Sequence, residues 1–197
     1  MDLRKTRDFM ESHSDLRSRR SVRLPGYDYS RVGMYFVTIC ADQRRCIFGD
    51  IRRNTAVLSQ IGEVVSSCWR EIPCHFPHVK VETYVVMPNH VHGILTIQSK
   101  GPSATLLNKT ARGMESFGKP TPGSIPTIVR SFKAAASRHA RESGLVAGEP
   151  IWQRGYYEHV LRNTREYIEA TNYILLNPAR WADDEDNRNK QSDAHNL

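Results

Sequence analysis

The sequence predicts an α+β domain in which strands and helices follow the order β-α-β-β-α-β-α, giving an antiparallel sheet with helices on one face and a further helix at the C-terminal end. Three features of the 197-residue chain carry that expectation. The run MYFVTICA (Met34 to Ala41) is aromatic and β-branched, as a buried strand requires. Two similar runs, VKVETYVVM and VHGILTIQ, are split by a tight Pro88-Asn89 turn and so form a hairpin. Apolar residues at three- and four-residue steps mark helices between these strands and after them.

Residues 1–30 are polar and carry the basic cluster Arg17, Arg19, Arg20 and Arg23, so they read as a basic arm with little to offer a core. The first strand follows, with a short continuation near Cys46 to Ile51. From Leu58 to Ile72 the apolar positions Leu58, Ile61, Val64, Val65, Cys68 and Trp69 describe an amphipathic helix that Pro73 and Pro77 end. The hairpin strands occupy Val79 to Met87 and Val91 to Gln98. Residues 99–124 are rich in Gly, Ser, Pro, Lys and Thr and bury too little apolar surface to order themselves, which predicts a flexible surface insertion.

Ser124 and Pro126 then start a basic helix, TIVRSFKAAASRHARE, with Ile128, Phe132, Ala135 and Ala136 inward. Ile151 to Leu161 has strand character, and a last helix runs from a Thr164 cap to Asn177, where Pro178 stops it. This order resembles a ferredoxin-like split βαβ sheet occupying residues 31–182, with 183–197 a polar tail.

Lys and Arg number 28 against 21 Asp and Glu, a net charge of +7, which favours a polyanionic partner. The chain has no apolar signal core and no apolar run near the roughly 20 residues a bilayer span needs, so a soluble cytoplasmic protein without a membrane partner is expected. Cys40, Cys46, Cys68 and Cys74 form no CxxC pair and read as free thiols.

Two clusters can carry chemistry. In MPNHVHGIL, His90 and His92 lie two apart on a strand, so both imidazoles project from one face while Val91 points into the core. Neutral imidazoles on a rigid strand suit a divalent ion that polarises a phosphodiester, although an HxH pair alone also arises by chance on half-exposed strands. On the last helix, Tyr173 and Asn177 are i and i+4 and share a face, placing a phenol beside a carboxamide. A phenol titrates near pH 10 and needs a metal or base to act as a nucleophile. Tyr156, Tyr157 and Tyr167 are nearby alternatives, and Tyr173 alone has an amide partner one turn on.

MPNHVHGIL, IVRSFKAAASR, WQRGYYEHV and NYILLNPARW, in this order, resemble the single-tyrosine HUH transposases, and most of all their REP-associated tyrosine transposase branch, over about residues 17–182. The resemblance implies that His90, His92 and Asn177 hold Mg²⁺ or Mn²⁺. It implies that Tyr173 attacks the scissile phosphate to give a 5′-phosphotyrosine and a free 3′-hydroxyl. It also implies a single-stranded DNA substrate that folds into a REP-like palindromic hairpin. Arg17, Arg19, Arg20, Arg23, Arg130, Lys133 and Arg138 are the expected phosphate contacts, and Trp152 and Arg154 the expected partners of unpaired bases. The competing reading is a noncatalytic DNA- or RNA-hairpin regulator, and the sequence leaves monomer and homodimer open.

Overall fold

A computed structural model of the chain describes residues 27–99, 121–184 and 187. The strands are β1 (Gly33–Cys40), β2 (Gly49–Arg52), β3 (Thr55–Leu58), β4 (Val79–Val86), β5 (His90–Ile97) and β6 (Tyr157–Leu161). The helices are α1 (Gln60–Arg70), α2 (Ile72–His75), α3 (Ile125–Glu142) and α4 (Thr164–Arg180). Four strands form one sheet in the order β4-β5-β1-β6, and every pairing in it is antiparallel. The split βαβ expectation therefore holds, with β1 and β5 in the centre.

The central strands are buried on both faces, which is why β1 and β5 read as continuous apolar runs rather than alternating ones. Tyr35, Val37 and Ile39 of β1, with Val91 and Leu95 of β5, face the larger core built by α1 and α3. There Trp69 of α1 meets Phe132 of α3 edge to face at 5.1 Å. Gly93 makes this approach possible, because a Cβ at that position would lie 2.4 Å from a carbon of the Trp69 ring. On the opposite face, Phe36 and Ile94 pack against Ala170 and Ile174 of α4, with Tyr157 and Leu161 of β6. Among the described helices, the tyrosine-bearing α4 covers this face of the sheet, the side that also carries His90 and His92.

Local details depart from the sequence reading. Tyr29 is buried in the core and its carbonyl accepts from the Ile125 N–H at 3.1 Å, so residues 27–30 belong to the domain rather than to a basic arm. Residues 46–51 do not continue β1; β2 and β3 form a separate two-stranded ribbon, turned at Arg53 and Asn54 with φ of 49° and 62°. Neither residue is a glycine, so the usual turn signal is missing there. Ser59 caps α1 by accepting from Gly62 N–H at 3.1 Å, and Pro73 opens the short α2 instead of ending the chain's helical stretch, since proline needs no N–H in a first turn.

In the 151–161 segment only residues 157–161 pair in the sheet, and Trp152 makes a lone bridge to Ala41. Asn163 rather than Thr164 caps α4, accepting from Glu166 N–H at 2.9 Å while Glu166 reaches back to Asn163 Nδ2 and Arg162 N–H. The helix passes through Pro178 to Arg180, at the cost of one backbone hydrogen bond in its final turn. Within the expected insertion the described residues begin again at Thr121, whose carbonyl accepts from the Thr127 hydroxyl at 2.8 Å. The rest of the insertion, residues 1–26 and most of the tail lie outside the described residues. Among the described residues no helix is long and apolar enough to cross a membrane.

Candidate active site

His90 opens β5 directly after the β4–β5 turn, and Met87 N–H donates to the His90 carbonyl at 2.8 Å to close that turn. The antiparallel register sets Cys40 opposite His90 and Thr38 opposite His92. Strand alternation then puts both imidazoles on the α4 face, their ring centroids 4.3 Å apart. His90 is fully buried, against the Trp181 ring at 6.1 Å.

Neighbouring polar groups fix how each ring presents its nitrogens. Asn89 Nδ2 donates to the Arg44 carbonyl at 3.2 Å, which orients the amide, so its Oδ1 accepts from His90 Nδ1 at 2.7 Å. His90 Nε2 is then an unprotonated lone pair, and no hydrogen-bond partner satisfies it. Burial, aided by the Arg44 guanidinium, lowers the His90 pKa to about 3, so the ring is neutral at physiological pH. His92 Nδ1 lies 2.8 Å from Thr38 Oγ1, and its Nε2 lies 3.2 Å from the Tyr173 hydroxyl.

Tyr173 stands over this pair from α4, its ring 5.0 Å from His92 and 5.9 Å from Phe36. Burial pushes its phenol well above the ordinary tyrosine range, the Asp184 carboxylate adds to that, and a hydrogen bond from Asn177 opposes it. Asn177 Oδ1 has no partner, so the donor in that bond is Nδ2. The phenol oxygen accepts from Asn177 and can donate its proton toward His92. Two buried lone pairs, His90 Nε2 and Asn177 Oδ1, are left without hydrogen bonds.

This donor set fits a divalent cation: an imidazole nitrogen whose other nitrogen is pinned by an amide, and a carboxamide oxygen, both desolvated and both unsatisfied. His92 would complete it, though its Nε2 is engaged by the phenol. Among the described residues no three His, Cys, Asp or Glu side chains gather as a metal cluster.

The other expected residues are dispersed. Arg17, Arg19, Arg20 and Arg23 lie outside the described residues. Arg130 and Arg154 are exposed, and Arg138 is exposed beside Glu142 at 3.9 Å. Lys133 is turned to the protein itself: its ammonium donates to the Gln153 carbonyl at 2.9 Å and to that of Gly155, and burial lowers its pKa to about 8. Trp152 packs against Phe48 at 5.1 Å and Phe132 at 5.3 Å, with its indole N–H on the Lys133 carbonyl, so its ring contributes to the core rather than to an open platform. Of the alternative tyrosines, Tyr156 donates to Glu158 at 2.6 Å and Tyr167 packs in the second core.

Asn89, Thr38, Arg44 and Trp181 belong to the site without having been singled out in the sequence. Thr38 had a signal, being the one polar residue inside MYFVTICA. Asn89 reads in sequence only as a turn residue.

No family model matches the chain. An uncharacterized Haemophilus influenzae protein is 37% identical over 173 residues, covering 88% of this chain and 95% of that protein. A second protein of the same organism, carrying the name of a REP-associated tyrosine transposase, is 23% identical over 153 residues, 78% of this chain and 74% of its own length. Among solved structures, a REP-associated tyrosine transposase bound to a REP hairpin superposes with a TM-score of 0.51 at 19% identity, over 82% of this chain and 73% of that one. That similarity establishes a shared transposase-like fold.

Proposed function

From a chain that belongs to the same family as the uncharacterized Haemophilus influenzae protein and carries a transposase-like fold, we propose a metal-dependent endonuclease and strand transferase for hairpin-forming single-stranded DNA. The observation that carries the proposal is the Tyr173 hydroxyl 3.2 Å from His92 Nε2, beside the unsatisfied His90 Nε2 and Asn177 Oδ1. A merely structural tyrosine needs neither of those orphaned lone pairs, which cost stability unless a ligand takes them up.

In this reading His90, His92 and Asn177 hold the cation. Mg²⁺ or Mn²⁺ bound there supplies Lewis-acid polarisation of the scissile phosphate. The chain's own residues do the rest. Asn89 and Thr38 hold the two rings in register, Asn177 Nδ2 donates to the phenol oxygen, and α4 presents that oxygen for attack. The Tyr173 oxygen forms a bond to phosphorus as the bond from phosphorus to the 3′ oxygen breaks. The phenol proton is released, the 3′ oxygen leaves as a hydroxyl after taking a proton, and the 5′ phosphate stays on the tyrosine. Attack by a 3′-hydroxyl on that phosphotyrosine reverses the sequence and joins strands.

The net charge of +7 and the exposed Arg130, Arg138 and Arg154 suit a phosphate backbone. A REP hairpin is what the solved transposase binds, which makes a short palindromic hairpin with an unpaired extension the substrate to test first. The protein is incubated with such a labelled oligonucleotide and Mn²⁺ or chelator, then run on a denaturing gel. A covalent band that requires metal and is absent in Tyr173→Phe is expected. Tight binding with no adduct across varied hairpins would instead establish a noncatalytic hairpin regulator.

A further inference from the structure

Among the described elements, the β2–β3 ribbon belongs to neither the four-stranded sheet nor the candidate site. It stands apart from the four-stranded sheet, yet its foot is tied to the catalytic turn: Phe48 N–H donates to the Pro88 carbonyl at 2.9 Å, Ser59 N–H to the Phe48 carbonyl at 2.9 Å, and the Ser59 hydroxyl to the Ile47 carbonyl at 2.7 Å. Pro88 lies two residues before His90. Gly49, at φ 151°, closes the foot so tightly that a Cβ would sit 2.2 Å from the Val57 carbonyl oxygen. Phe48 is itself fully buried. The ribbon is therefore set rigidly with respect to the histidines, and β3 comes close to α4, the helix that carries Tyr173.

From that foot the ribbon extends three residues, about 10 Å, to a tip formed by Arg52, Arg53, Asn54 and Thr55, all exposed. Arg53 and Asn54 occupy left-handed backbone positions that glycine would fill with less strain, so the tip keeps charged and polar side chains at some cost. Asp50 is the one acidic side chain on the ribbon; its pairing with Arg52 at 3.6 Å is exposed on both sides and yields readily to a stronger anion. Two arginine forks on a two-stranded ribbon match duplex DNA in both charge and width, since the major groove admits a ribbon of this kind.

We propose that the β2–β3 ribbon is a DNA-contacting element that lays Arg52 and Arg53 along the base-paired stem of the substrate, next to the cleavage position. The inference rests on the hairpin-cleaving reading above and adds to it which part of the chain grips the stem.

The test measures binding of the full chain and of the double variant Arg52→Gln/Arg53→Gln to a stem-loop with an unpaired extension, and to the unpaired extension alone, across a salt series. Loss of two phosphate contacts should weaken stem-loop binding about tenfold at moderate salt and lower the slope of log affinity against log salt by about 2, with binding of the unpaired strand unchanged. The charge-retaining Arg52→Lys/Arg53→Lys variant should keep the wild-type slope. Wild-type affinity and slope in the glutamine variant, or an equal loss on the unpaired strand, would overturn the ribbon's role and leave the catalytic reading intact. A wild-type chain that binds no stem-loop at all would defeat the catalytic reading, and the ribbon's role with it.

Discussion

Asn89→Ala isolates the group on which the His90 geometry depends. Asn89 is fully buried; its Nδ2 donates to the Arg44 carbonyl at 3.2 Å and its Oδ1 accepts from His90 Nδ1 at 2.7 Å. Truncation leaves one buried acceptor and one buried donor unpaired, each costing about 1–3 kcal/mol, so the fold should lose roughly 2–5 kcal/mol. That is a large part of an ordinary domain's stability of about 5–15 kcal/mol. The same truncation frees His90 to rotate and to exchange tautomers, and loss of a partner one step behind a ligand typically lowers metal affinity about 10- to 100-fold. Asn89→Asp keeps an oxygen on His90 Nδ1 but sets a carboxylate against the Arg44 carbonyl. It should lose stability while holding Mn²⁺ at least as tightly as the wild type. Urea denaturation with chelator reads the first quantity and Mn²⁺ titration calorimetry the second. An Asn89→Ala protein with wild-type urea midpoint and wild-type Mn²⁺ affinity would refute the claim that this amide positions the ring.

Gly93→Ala should destabilise the fold by about 2–4 kcal/mol and lower the thermal midpoint by roughly 5–15 °C, because the new methyl meets the fully buried Trp69 ring at 2.4 Å; a midpoint within about 1 °C of wild type would show that the ring can yield. The depressed His90 pKa gives a signed pH dependence for the metal-free protein. Between about 6.5 and about 3 the unfolded chain takes up a proton that the folded ring refuses, so stability is full above 6.5 and falls as pH drops. From pH 6.5 to 4.5 this one group contributes about 2–3 kcal/mol of that loss, and His90→Gln should show a correspondingly flatter urea midpoint against pH.

How much of this was legible in the sequence varies with the range of the determining interaction. Elements with strong local patterns, MYFVTICA and the Val79 to Gln98 hairpin, were placed within a residue or two. So was the pairing of Tyr173 with Asn177, a consequence of helical spacing alone. The β2–β3 ribbon was not, because Arg53 and Asn54 take left-handed turn positions without glycine and its four-residue strands are too short to show a period. Trp152 and Lys133 had the residue types of a nucleic-acid surface, but α3 and the 151–156 segment lean on each other through the Trp152 indole and the Lys133 ammonium, a pairing no local pattern encodes. Asn89 and Thr38 were hidden in turn and strand. Only the register that sets Thr38 opposite His92, and the Arg44 carbonyl that orients the Asn89 amide, brings them to the imidazoles.

The position of the phenol has a consequence for metal binding that is opposite to what loss of a nucleophile usually brings. His92 Nε2 is both the nitrogen a cation would take and the nitrogen on which the Tyr173 hydroxyl rests. Cation binding must therefore displace a hydrogen bond worth about 0.5–1.5 kcal/mol net. Tyr173→Phe removes that competitor while keeping the ring in its place against Phe36 and His92, so Mn²⁺ should bind this variant about two- to tenfold more tightly than wild type even though no adduct can form. The same calorimetric titration decides the question. Weaker Mn²⁺ binding in Tyr173→Phe would mean that the phenol oxygen is itself a ligand, and that the cation and the nucleophile are assembled together rather than exchanging places on His92.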